Sequence, residues 1–411
     1  MKVLWINHFV PYPAKGGLLI RTSNLLTACV IAHHVDLVAL IQPRLVRAYS
    51  PSLALGLERS RAALTSLVRT LYTVNIPSER SALHRLATLI RSTLTNRPYS
   101  VSWLASEAAK ELIHKLLLAQ DYDLIHLDTA ALLPLLPMNL NVPVVVNHHN
   151  AEHHMMRRRA QQERNWLKKI LFFDEARKIM HFDSNNLGKV SHNIVCSEDD
   201  KKRIEALGVE ATRVSIVPNS VSVPEQSQRS PDKNKLLFVG GLNWYPNKKG
   251  IEWFLRNIWP TLAAQYKDLS LDIIGKYPSK TMILLVAGSE RVRLHGYVED
   301  IGLYYRNALA FISPIFDGGG TKLKVLDAMA NAIPVIGNSL AFEGIDVTDQ
   351  LNAFIANDSR SYGAAIAILS EGHMGADAGR RAQALVAEKY SAIKVGNAYS
   401  MLIQSLAQGA A

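Results

Sequence analysis

Ten short apolar runs, alternating with helix-period patterns, constrain this chain more than any other feature. KVLWINH, VDLVALI, DLIHLD, VPVVVN and NIVCS lie in the first half; LLFVGG, LSLDIIG, RVRLHG, LAFISP and IPVIGN lie in the second. Runs this continuous have no polar face to turn to water, so each is expected as a parallel strand buried on both sides, with helices over the sheet. The segment Ser220 to Asn234, SVSVPEQSQRSPDKN, is polar and aperiodic and carries two prolines, as a linker would. The expected fold is α/β, with two Rossmann-like doubly wound domains at 1–222 and 233–390. A chain of 411 residues with 48% hydrophobic content can fill two such cores. In the second set, helices are expected near Gly250 to Gln265 and Thr321 to Asn331.

The stretch Asp317 to Ile336, DGGGTKLKVLDAMANAIPVI, places three glycines directly before an amphipathic helical pattern that runs into a strand. Glycines let backbone approach a ligand closely, and the first helical turn offers unpaired N–H groups at the positive end of a dipole. A diphosphate suits such a junction. Asp317, Gly318, Gly319, Gly320 and Thr321 form the turn, Lys322 and Lys324 supply positive charge, and Asp327 places a carboxylate within the helix. A nucleotide with sugar hydroxyls is the ligand this pattern suggests.

The run GGGTKLKVLDAMANAIPVI, followed by Ala341-Phe342-Glu343-Gly344, resembles the donor-site signature of retaining GT-B glycosyltransferases of the family 4 type. Further pieces agree in order: Gly16-Gly17 with Arg21, HHNAEHH at 148–154, IVCSEDDKKRI at 194–204, VPNSV at 217–221, FVGGLNWYPNKKGIEWF at 238–254 and LHGYVEDIGLYYRNA at 294–308. The resemblance spans nearly the whole chain. It implies two domains facing across a cleft, the donor on the second and the acceptor on the first, with a last helix at about 393–411 packing back on the first. It also implies transfer of a sugar from a nucleoside diphosphate sugar to an acceptor hydroxyl with retained configuration. No cofactor and no metal are expected beyond that donor.

Residue by residue, the resemblance sets Gly16 and Gly17 against the donor phosphates or sugar, although any tight strand-to-helix loop uses glycine. Arg21 reads equally as a surface residue. His149 matches the family histidine near the donor sugar, and His148, His153 and His154 read as polar loop and first-turn residues. A zinc reading of His149 and His153, four apart, is poor because no H-E-x-x-H pattern or third ligand accompanies them. Gly241 shapes a second phosphate-facing loop, and Lys248 or Lys249 neutralises the diphosphate. Asn243 stands where relatives often carry an arginine. Gly296 and Tyr297, in the turn His295-Gly296-Tyr297-Val298, are placed at the nucleobase. Relatives carry two glutamates eight apart around the glycine turn; here Gly319 holds the first place and Asp327 the second, so ribose recognition is retained and the first carboxylate is missing. The rival readings are a sugar-nucleotide epimerase or hydrolase on the same scaffold, and a non-enzymatic peripheral membrane scaffold.

Charge and cysteine usage narrow the classes further. The net charge is +11, and between Gln42 and Ser100 nine arginines face two acids, Glu58 and Glu79. That stretch reads either as a solvated helical face or as a surface for anionic lipid headgroups. No nucleic-acid recognition motif accompanies it. Cys29 and Cys196, expected in a helix and a strand, read as reduced core thiols. The apolar runs are too short to span a bilayer and the N-terminus is unlike a signal peptide, so a cytoplasmic protein is expected, with the inner membrane face as a peripheral site. The glycan or lipid-linked acceptor of a bacterial surface polysaccharide fits the basic first half.

Overall fold

A computed structural model describes residues 1–225, 229–371 and 373–409. Three positions of the expected linker, 226–228, and the last two of the expected C-terminal helix, 410–411, lie outside the described residues. The chain divides into two compact units, Met1–Pro218 together with the chain from Val395 on, and Asn219–Lys394. Each is a fully parallel sheet covered by helices, in agreement with the α/β, Rossmann-like expectation.

The first unit carries strands β1 (Lys2–Asn7), β2 (His34–Ile41), β3 (Thr70–Asn75), β4 (Leu124–Leu127), β5 (Val144–Asn147), β6 (His192–Val195) and β7 (Val214–Ile216). Their spatial order is β3-β2-β1-β4-β5-β6-β7. Period-two alternation sends Leu4, Ile6, Val38 and Leu40 to one face and Val3, Trp5, Leu37 and Ala39 to the other. The helix Ala392–Gln408 covers the second face through Val395, Tyr399 and Ile403. Tyr399 Oη lies 2.9 Å from Nδ1 of buried His126, whose ring stacks on Trp5 at 3.7 Å. Helix and sheet are thereby joined by one polar contact inside an apolar interface.

The arginine-rich stretch departs from expectation. It contains β3, an edge strand paired with β2, so it is not one helical face. Arg69 donates from Nε to Asp36 at 2.8 Å, and Tyr122 donates to the other oxygen of that carboxylate at 2.8 Å, so this arginine serves the fold.

The second unit carries β8 (Asp232–Val239), β9 (Ser270–Ile274), β10 (Val292–Gly296), β11 (Ala308–Ser313), β12 (Val335–Gly337) and β13 (Phe354–Ile355), in the order β10-β9-β8-β11-β12-β13. Leu236 and Phe238 pack with Phe254, Trp259 and Tyr362 on one face, while Leu237 and Phe311 meet Val325 and Met329 on the other. The single helix expected near 250–265 is two, Tyr245–Asn257 and Trp259–Gln265, because Pro260 cannot continue the first and suits the opening turn of the second. The helix expected at 321–331 spans Leu323–Ala330. Val221 pairs with Ser391, and β8 already starts at Asp232, so the expected linker is structured at both ends. No helix among the described residues is long and apolar enough to cross a membrane.

Candidate functional site

In each sheet the strand order reverses once, between β1 and β4 in the first unit and between β8 and β11 in the second. Open parallel sheets bind ligands beyond the C-terminal strand ends at such points. Both reversals carry a dense set of polar side chains.

In the first unit the set is built on Asp128, which directly follows β4 and is fully buried. Its carboxylate accepts from Thr22 Oγ1 at 3.0 and 3.1 Å, from Asn147 Nδ2 at 3.0 Å and from His149 Nε2 at 3.1 Å. His8 Nδ1, just past β1, is 3.5 Å away. Burial alone would raise this carboxyl; the His149 and His8 contacts overcome that and hold it well below the usual carboxylate range. His149 itself is shifted down from its ordinary value, first by burial and against the pull of Asp128. The arrangement is an ionised aspartate beside a neutral imidazole whose Nε2 is turned toward the carboxylate. Arg21 supports the set from behind: Nη2 donates to Asn147 Oδ1 at 2.8 Å and Nη1 to the Val217 carbonyl at 2.8 Å. At 2% exposure Arg21 is a core residue, which corrects its reading as an equal candidate for the surface.

His8, Asp128 and His149 offer ligand atoms close enough together for a cation. Asp128's oxygens are already occupied by Thr22, Asn147 and His149, so holding a metal would require these donors to give way. His153, the other histidine of the weak zinc reading, points instead toward Asp183 at 3.8 Å. His148 is buried with Nε2 3.0 Å from Asn193 Oδ1, and so is a packing residue where an open loop residue was expected. Gly16, at φ +90°, precedes the helix Gly17–Ala32, whose first two residues, Gly17 and Leu18, are exposed while Leu19 is buried.

In the second unit two glycine-rich loops meet. One follows β8 and includes Gly240, Gly241 and Asn243; the other follows β11 and runs from Asp317 to Lys322. Asn247 ties them, donating from Nδ2 to the Gly241 carbonyl at 3.0 Å and accepting from Lys324 Nζ at 2.7 Å. Lys324 Nζ also lies 4.4 Å from the centre of the Phe238 ring. Burial, and then the charge of Lys322, lower the Lys324 ammonium from 10.5 to about 7. Gly318 has φ +94° and Gly320 φ +68°, conformations that a side chain would strain. Asp317 Oδ1 accepts from Gly318 N at 2.7 Å, shaping the turn from within. Thr321 is buried and its Oγ1 has no protein partner, while its carbonyl accepts from Asn219 at 3.2 Å. The helix Tyr245–Asn257 can lie this close only because residue 250 is glycine: a Cβ there would sit 1.7 Å from the Pro314 carbonyl oxygen.

Residues 15–225 match the family described as Glycosyltransferase Family 4, and residues 233–371 match Glycosyl transferases group 1. The chain belongs to glycosyltransferase family 4. This family 4 chain is 29% identical over 138 residues to an uncharacterized 44.6 kDa protein in the cps region of Klebsiella pneumoniae, a match covering 30% of the chain and 34% of that relative. Among solved structures it is similar to a sucrose-phosphate synthase from Thermosynechococcus elongatus (TM-score 0.68, 16% identity, 100% of both chains). It is also similar to Anabaena HepE in complex with UDP-glucose (TM-score 0.63, 13% identity, 98% of this chain and 100% of the other). These likenesses carry the GT-B fold class.

The remaining expected residues of the family 4 chain fall around the second-unit loops with different partners. Lys322 donates to the Gly320 carbonyl at 2.5 Å and pairs with Glu343 at 3.3 Å, so it closes the turn and its charge is already matched. Lys248 is partly buried in the helix that starts at Tyr245, and exposed Lys249 lies 4.4 Å over the Tyr245 ring. Asp327 accepts from Tyr305 Oη at 2.6 Å, and its carboxyl is raised by burial against that hydrogen bond. Gly296 ends β10 at φ +67°, and the half-exposed Tyr297 ring carries Lys276 Nζ 4.1 Å from its centre. Asp128, His8, Thr22, Asn147 and Asn247 were not expected. The one signal for His8, Asp128 and Asn147 is position, a polar residue at or just beyond the end of an apolar strand; Thr22 and Asn247 lie within helices and carry no such signal.

Proposed function

We propose that this chain transfers a glycosyl group from a nucleoside diphosphate sugar to an acceptor hydroxyl with retention of configuration. The observation that carries the reading is the convergence of two glycine-rich loops at the strand-order reversal of the second sheet, tied by Asn247 and Lys324. Backbone N–H groups at such a loop-to-helix junction favour an anion, and Lys324 adds a cation that a bound diphosphate would keep charged. The UDP-glucose complex of HepE supports a sugar nucleotide as donor. The cps-region relative supports a glycan or lipid-linked glycan acceptor.

In this reading the bond between the anomeric carbon and the phosphate oxygen breaks, and its electron pair stays on the diphosphate. The acceptor oxygen bonds to the same face of the carbon, and its proton passes to the departing phosphate oxygen. Amides at 319–321 and the lysines stabilise the growing charge more than they stabilise the bound donor, which is what accelerates the step. His149, which the family resemblance sets near the donor sugar, is held in place by Asp128. Asp327, with Tyr305, serves the ribose. Cation neutralisation falls to lysines, so turnover should persist with a chelator present.

Thermal-shift screening against uridine, guanosine and adenosine diphosphates, followed by product analysis with the preferred sugar nucleotide, tests the reading. Stabilisation by one nucleotide and an acceptor-dependent product of retained configuration are expected. Free sugar or an epimerised nucleotide formed without acceptor would overturn the transferase reading in favour of a hydrolase or epimerase.

A further inference from the structure

The first unit exposes two apolar rows that its fold leaves uncovered. In the helix Ala82–Thr93 only Ser92 is buried. Leu83 is 76% exposed, Leu86 and Ile90 about half, and Leu94, one turn beyond, 81%. The spacing places them on one stripe of the helix. A second row opens the helix Trp166–Asn186, where Trp166 is 67% exposed and Leu167 and Ile170 more than half. Lys178 Nζ joins the two elements directly, donating to the Ser92 carbonyl at 2.6 Å, and Glu175 accepts from the amides of Tyr99 and Ser100, which open the next helix after the first row, at 2.8 and 3.2 Å.

Cations frame both rows. No acidic residue lies between Glu79 and Glu107, while Arg80, Arg85, Arg91 and Arg97 do. Around the second row Arg157, Arg164, Lys168 and Lys169 are exposed, with Glu163 the one acid from 157 to 169. A water-soluble fold has no use for large apolar side chains presented in stripes, whereas an amphipathic helix with a basic rim is what partitions into a headgroup boundary.

We propose that these two helices form a docking surface for an anionic lipid bilayer. Leu83, Leu86, Ile90, Trp166 and Ile170 enter the interface, and the flanking arginines and lysines engage the headgroups. The surface is narrower than the whole arginine-rich stretch: β3 and Arg69 belong to the fold, and the second row lies far along the chain from it. The proposal stands independently of the transfer reaction.

The test is sedimentation of the full chain with phosphatidylcholine vesicles, with and without phosphatidylglycerol. The wild type is expected to pellet with the anionic vesicles. Leu83→Ser/Leu86→Ser/Ile90→Ser and, separately, Trp166→Ser/Ile170→Ser should each weaken partitioning on the order of tenfold or more, without altering the thermal transition, since every site is exposed. Brominated anionic lipid should quench tryptophan fluorescence in the wild type and not in Trp166→Phe. Wild-type protein that stays in the supernatant, or binding that survives loss of both apolar rows, overturns the proposal. So does light scattering that shows a dimer dissociated by the same substitutions, because the rows would then cover each other.

Discussion

At the residue scale, the unit most exposed to test is the Asp128–His149 pair. Asp128→Asn keeps the volume but removes the charge that fixes the imidazole's tautomer, and turnover should fall about a hundredfold or more while affinity for the nucleoside diphosphate is unchanged. Asp128→Ala should instead lose stability, about 3–5 kcal/mol, since it strands the donors of Thr22 and Asn147 around an emptied buried site; a melting curve separates the two effects. In the second unit Lys324 carries a proton prediction. Burial has lowered it to about 7, so about one pH unit above that value it is mostly neutral in the free protein. A diphosphate arriving beside it favours the charged form, and binding should take up a proton there and none well below it; affinity should correspondingly decline as pH rises through this range. Calorimetry in two buffers of different ionisation enthalpy reads the uptake directly, and Lys324→Met should abolish it. The sequence displayed Lys324 and the glycines openly, because three adjacent glycines before a helix have few other uses. It did not display Asp128. A carboxylate after an apolar run reads as an ordinary turn residue, and its partners Thr22, Asn147 and His149 sit on other segments that only the β1–β4–β5 pairing brings alongside.

At the element scale, the helix Ala392–Gln408 depends on a histidine that cannot be charged in place. His126 is lowered from 6.5 to about 3 by burial, against the pull of Asp128. Between those values the unfolded chain holds a proton that the folded chain lacks, so stability is lost as pH falls from about 6.5 toward 3, by up to about 1.4 kcal/mol per pH unit for this one group. Replacing both partners, His126→Phe with Tyr399→Phe, removes the titration without leaving an unpaired hydroxyl. The acid limb of a stability-versus-pH curve should flatten by about that slope; an unchanged limb would show that the other buried histidines dominate. His126 lies within DLIHLD, one of the runs that made the sheet legible. Strands buried on both faces must be apolar throughout, and such runs announced ten of the thirteen strands among the described residues. The edge strand β3 did not announce itself, because TLYTVN is only partly buried and sits among arginines that suggest a solvated helix. β7 has three residues, and β13 two, too few for any period to show.

At the scale of the whole molecule, the two units differ in continuity. The second is one segment, Asn219–Lys394, whereas the first is completed only when the chain returns at Val395. Gly396 is what allows that return to be close: a Cβ there would stand 2.8 Å from the Ala28 Cβ, so the last helix lies directly against Gly17–Ala32. Tyr399 and Ile403, both fully buried, are packed with Trp5 and Leu25. A chain ending at Lys394 therefore leaves this apolar face of the first sheet in water, and each large side chain so exposed forgoes about 1.5–3 kcal/mol, enough in sum to exceed the margin of an ordinary domain. Hydrogen exchange at β1 and β4 should lose its protection in that truncation, while β8 and β11 stay protected. Conversely, segment 219–394 expressed alone should melt cooperatively, because its two clusters lie on the faces of its own sheet. It should also retain nucleoside diphosphate binding, since Gly241, Asn247, Gly318, Thr321 and Lys324 are all within it. A folded segment that binds no nucleotide would mean that these loops do not suffice for the donor, and the assignment of the diphosphate to them would fail even with the fold intact.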